Sequence, residues 1–79
     1  MNDLLLNIDK IHTTEMGVQR IRKNLNIFNL DAVQYCKSKI ESKNCFIYKK
    51  GKNWYCEIDN IQITINSYNY TIITAHVLK

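Results

Sequence analysis

The chain has no proline, no long apolar run and no C-x-x-C pair among its three cysteines. Each absence removes a class of protein. Without proline, an internal repeat or a low-complexity tract, nothing marks a linker, so residues 1–79 read as a single domain. A membrane span needs roughly 20 consecutive apolar residues, and no segment offers them. Asp3, Asn7 and Asp9 interrupt what a signal peptide would keep apolar, so the chain reads as cytosolic. Cys36, Cys45 and Cys56 are odd in number and widely spaced, and each falls at a position that the local pattern marks as wholly or partly buried. They read as reduced thiols packed like small hydrophobes. With only two histidines beside them, no metal site or other cofactor is expected.

What is present is an ordinary globular composition, 46% apolar and 23% charged, carrying a net charge of +4. Eleven basic residues against seven acidic ones favour an acidic partner, either RNA or an acidic protein surface. The oligomeric state is left open by composition.

The apolar period changes near Asn44. Before it, Leu4, Leu5, Ile8 and Ile11 recur at helical spacing over 2–11, with Asn2 as a candidate cap. Thr13 can cap a second helix with Glu15 in its first turn, and Val18, Ile21, Leu25 and Phe28 form its apolar stripe. A third, shorter helix from Asn29 or Asp31 buries Val33, Cys36 and Ile40 and ends around 42–44. After Asn44, alternation and β-branched or aromatic residues predict strands over 45–50, 53–59, 61–66 and 70–78. Lys50-Gly51-Lys52, Asp59-Asn60 and Ser67-Tyr68-Asn69 supply the turns, and connections this short join only antiparallel neighbours. The expected fold is α+β: two to three N-terminal helices, over about 2–43, packed on one face of a four-stranded antiparallel meander over about 45–78.

The alternation assigns Trp54, Cys56, Ile58, Ile61, Ile63, Ile65, Ile73, Ala75 and Val77 to the face under the helices. The open face then carries Tyr55, Glu57, Gln62, Thr64, Asn66, Tyr70, Thr74 and His76. Metal-independent RNA cleavage requires a base for the ribose 2′-hydroxyl, an acid for the leaving oxygen and a cation near phosphate. His76 and Glu57 are the acid and base candidates, Thr74 and Thr64 orient phosphate oxygens, and Arg20 is the helix-borne cation. His12, at the junction before the second helix, is a second acid or base candidate if that junction folds over the sheet edge. Tyr55 and Tyr70 can stack on unpaired bases, with Asn66 completing the polar set.

The segments Gly51-Lys52-Asn53-Trp54-Tyr55, Thr64-Ile65-Asn66 and Tyr70-Thr71-Ile72-Ile73-Thr74-Ala75-His76, with the leading Ile8-Asp9-Lys10-Ile11-His12-Thr13-Thr14, resemble a family of short bacterial and phage proteins known as a domain of unknown function. More loosely, helices followed by a meander that ends in an Ile-Thr-Ala strand resemble the BECR fold of barnase-like, EndoU-like, colicin-type and RelE-type ribonucleases. That resemblance implies metal-independent RNA cleavage on the exposed sheet face and a neutralising partner protein. Thr74 and His76 match the polar positions of its terminal strand, and Arg20 its cation. The reading that follows is a small basic protein that binds or cleaves RNA through the open face. Its rival is a non-enzymatic inhibitor or adaptor of a phage or mobile element, such as an anti-defence protein, that docks the same face on a host protein.

Overall fold

In a computed structural model, residues 3–78 are described. Three helices, α1 (Asp3–Leu6), α2 (Glu15–Leu25) and α3 (Ala32–Ile40), precede four strands, β1 (Phe46–Lys50), β2 (Asn53–Ile58), β3 (Ile61–Asn66) and β4 (Ile72–Val77). The strands form one antiparallel sheet in the order β1-β2-β3-β4. The fold is α+β, with the helices N-terminal to the sheet.

Local chemistry sets the boundaries. The proposed cap Asn2 lies outside the described residues. The first helical segment does not run through to residue 11. Asn7 turns back to donate through its side chain to the Asp3 carbonyl at 2.7 Å, and a separate 3₁₀ turn follows over Ile8–Lys10. Thr14, rather than Thr13, caps α2 by accepting from the Gly17 amide at 3.0 Å. Thr13 instead donates to the Ile72 carbonyl at 3.1 Å. A Cβ on Gly17 would collide with the Thr13 hydroxyl, so this close approach requires glycine. Asn26, left-handed at φ 58°, stops α2 before Phe28, which leaves the expected stripe and is 62% exposed. Asp31 caps α3 through the Gln34 amide.

Asp59 and Asn60 both have positive φ, 52° and 64°, as a type I′ hairpin turn requires. Lys39 on α3 pairs with Asp59 and ties that turn to the helical layer. The buried core joins Leu4, Ile11, Ile21, Ala32, Cys36 and Ile40 to Cys56, Ile58, Ile61, Ile63, Ile65, Ile72 and Ala75.

One assignment of the alternation is overturned. Ile73 was expected in the core, but a β-bulge between the Thr64 and Ile65 pairs sets Ile72 against Ile65 and leaves Ile73 46% exposed. The extra residue lets Ile72 and Ala75, three positions apart, both face the helices. Val77 pairs with Ile61 at the end of the sheet and stays exposed.

Removing side-chain atoms tests this register. Ile63→Ala is expected to destabilise the fold by about 2–5 kcal/mol, as for other fully buried isoleucines. Ile73→Ala is expected to stay within about 0.5 kcal/mol. Urea unfolding of both variants checks the difference, and equal costs contradict the bulge.

Candidate functional site

Alternation along β1 and β2 brings Phe46, Tyr48 and Tyr55 onto the face away from the helices. Phe46 pairs with Glu57 and Tyr48 with Tyr55. Their rings form a row, with Phe46 and Tyr48 centroids 5.2 Å apart and Tyr48 stacked on Tyr55 at 5.3 Å. Phe46, 62% exposed, lies at the outer end of this row. The two residues that extend Tyr55 into a platform, Phe46 and Tyr48, carry the alternation Phe46-x-Tyr48-x-Lys50, a sequence signal for one strand face that the polar candidates of β2–β4 do not include.

Glu57 stands inside a hydrogen-bond network. Its Oε2 accepts from the Tyr48 hydroxyl at 2.9 Å and from Gln62 Nε2 at 3.0 Å. Ionising Tyr48 would place a phenolate beside that carboxylate, so this bond pushes the phenol above its ordinary range. His76 lies opposite Gln62, and Thr74 opposite Thr64. Glu57, Thr74 and His76 thus share the outer face. Among the described residues, however, no hydrogen bond or ion pair orients His76, and Glu57 is already engaged by two donors. Thr64 is only 6% exposed between its cross-strand neighbours Tyr55 and Thr74, too enclosed to meet a ligand.

Three other candidates lie elsewhere. Arg20 is exposed on α2, in the helical layer on the opposite side of the sheet, and is not brought to Glu57 or His76. The Asn66 side chain builds the β3–β4 turn by accepting from the Tyr68 and Asn69 amides at 2.8 and 3.1 Å. Tyr70, left-handed at φ 59°, packs against the core with the Lys10 ammonium 5.8 Å from its ring centre. It belongs to a second cluster, at the β4 edge.

That cluster is centred on His12. The junction before α2 does fold onto the sheet edge. The His12 amide donates to the Tyr70 carbonyl at 3.1 Å, and the Ile72 amide to the His12 carbonyl at 2.7 Å, in a short parallel bridge. His12 Nδ1 lies 2.8 Å from the Lys10 carbonyl, and Nε2 lies 3.1 Å from Thr71 Oγ1. A carbonyl only accepts, so Nδ1 carries the proton. In the neutral ring Nε2 is then the acceptor for the Thr71 hydroxyl. This chain of hydroxyl, imidazole and carbonyl is the arrangement by which a base is oriented toward an O–H group. Thr71 has no local sequence signal, because its partner is 59 residues away.

The remaining groups define what the site is not built from. Cys36 and Cys56 are buried and Cys45 is half-buried, all as free thiols. Burial pushes the Cys36 thiol up to about 12 and raises that of Cys56 as well, which disfavours the nucleophilic thiolate at both. Among the described residues, no group of three or more His, Cys, Asp or Glu side chains could hold a metal ion, and no helix is long and apolar enough to cross a membrane. A shallow pocket lined by Leu30, Asp31, Gln34, Tyr35 and Ser38 lies at the start of α3, away from both clusters.

The Tyr48–Glu57 bond is open to direct test. Glu57→Gln is expected to lower the ionisation pH of Tyr48 toward the ordinary phenol range, because the neighbouring negative charge is gone. Tyrosine-labelled NMR titration checks it, and an unmoved Tyr48 signal contradicts the bond.

No curated protein and no solved structure matches the chain. Residues 5–76, from α1 through His76, match the family model described as "Protein of unknown function (DUF3781)", and the chain belongs to that family.

Proposed function

We propose that this protein is a cytosolic RNA-binding protein that uses the outer face of its sheet as a platform for unpaired bases. The observation that carries the reading is the row of Phe46, Tyr48 and Tyr55 on one open sheet face, at ring spacings of 5.2 and 5.3 Å. Aromatic rings on an exposed sheet stack on bases without regard to sequence. Lys50 alternates onto the same face, and Lys49 and Lys52 flank it in the β1–β2 hairpin, where cations can follow phosphate. The net charge of +4 points the same way. Gln62, Thr74 and His76 supply hydrogen-bonding groups to base edges.

Phe46→Ala, which removes the exposed ring at the outer end of the row, is expected to weaken binding of a short single-stranded RNA about 5-fold to 150-fold, the equivalent of one lost base stack of roughly 1–3 kcal/mol. Fluorescence anisotropy across a salt series measures this, and affinity should fall as salt rises. Absence of salt-dependent RNA binding, with capture instead of one host protein through Tyr55, favours the inhibitor or adaptor reading.

A second reading, RNA cleavage, is favoured by the His12 relay. His12 is the better base, because its tautomer is set by Lys10 and a hydroxyl already occupies the position a ribose 2′-hydroxyl would take. Lys10 is the nearby cation. The His12 segment lies about four strand spacings from β1, roughly 19 Å, so an RNA stacked on the aromatic row would cross the sheet to reach it. In EDTA, cleavage would leave 2′,3′-cyclic phosphate ends. His12→Ala is expected to slow it about 10²-fold to 10⁴-fold, with His76→Ala much milder. Equal losses in both variants would return His76 to the central role, and no cleavage by the parent protein leaves binding alone.

A further inference from the structure

We propose that two copies of the chain pair antiparallel through β1, making one continuous eight-stranded sheet. The two edges of the sheet are unlike. On β4, three outward groups are taken by the helical half: the Ile72 amide by His12, the Ile72 carbonyl by Thr13 and the Ala75 carbonyl by Asn24 Nδ2 at 3.1 Å. On β1 they are not. The two-residue Gly51-Lys52 turn makes Lys50 and Asn53 a hydrogen-bonded pair. Such pairs alternate along an antiparallel ladder, so Tyr48 and Phe46 also turn their backbone groups toward β2. Ile47 and Lys49 turn theirs away from the sheet, and among the described residues no other group bonds to them on that side.

These outward groups choose the partner and the register. A sheet edge offering two residues with both donor and acceptor free is self-complementary about a two-fold axis. Placing Lys49 against the second copy's Lys49 opposes like charges, which disfavours pairing. Centring on Ile47 leaves Lys49 opposite the second copy's Cys45, whose amide is already bonded to Ser42. Centring on Tyr48 sets Ile47 against the second copy's Lys49 and uses all the outward amides and carbonyls of both residues in both copies. It also sets each Lys50 against the second copy's Phe46, an exposed ring suited to a cation. The two Tyr48 rings then meet at the axis, and the stacked pairs with Tyr55 become one row of four rings.

Five residues per strand make a small interface, below the roughly 1,000 Å² of a durable complex, so the dimer forms with rising concentration. The inference does not depend on RNA. Sedimentation velocity from micromolar to millimolar protein should show a shift from monomer toward dimer. Lys49→Pro removes an outward amide while leaving the β1–β2 ladder intact, and it should abolish that shift. Amide hydrogen exchange on the unaltered protein supplies the independent readout. Protection of Ile47 and Lys49 should rise with concentration while that of Tyr48 and Lys50 stays constant. A monomer throughout, a dimer that survives Lys49→Pro, or protection that does not depend on concentration at Ile47 and Lys49 overturns the proposal.

Discussion

The short parallel clamp between His12 and β4 is the constraint on which the rest of the molecule depends. Two backbone hydrogen bonds, of 3.1 and 2.7 Å, join residues from opposite ends of the described chain. They fix where α2 starts relative to the sheet, because Thr13 and Thr14 follow His12 directly and each is committed to a bond of its own. They also cover the start of the β4 edge, which would otherwise offer unpaired backbone to another chain. The same two bonds hold the imidazole beside Thr71. Architecture and chemistry at this corner cannot be separated.

The β4 bulge has an equally local origin and a wider effect. A regular strand would bury residues of one parity, and here Ile72 and Ala75 have opposite parity yet are both buried. Inserting one residue reconciles them and preserves the pairing of Thr74 with Thr64 and of His76 with Gln62. The polar groups of β4 thereby stay in line with those of β2 and β3. Bulges commonly re-aim side chains in this way near functional positions.

Helices and strands were legible where a single period ran undisturbed. Val18, Ile21 and Leu25, or Ile61, Ile63 and Ile65, admit one reading, and Asp59-Asn60 declares its turn through residues that tolerate positive φ. Failures came where two local signals competed. Thr13 and Thr14 are equally good caps, and only a distant carbonyl at Ile72 decides between them. Ile72 and Ile73 are chemically identical, so no alternation rule could choose the buried one. Within the candidate site, Glu57, Thr74 and His76 were placed on a common face correctly, since their strands are in simple register. Arg20 was misplaced because a helix-borne residue shows its face relative to its own helix, not to the far side of a sheet. The His12–Thr71 contact was beyond reach, since nothing in either neighbourhood encodes the other.

That contact has a consequence for how the chain is made. The ribosome releases residues in order, at about 5–20 per second, so the 59 positions between His12 and Thr71 take roughly 3–12 s to emerge. Throughout that interval the N-terminal helices have no β4 to lie on. Leu4, Ile11 and Ile21, all buried in the finished molecule, lack the cover of the completed sheet until then. Until Thr71 and Ile72 have been synthesised, neither bond of the edge clamp can form, so the last strand of the chain is what closes its first turn.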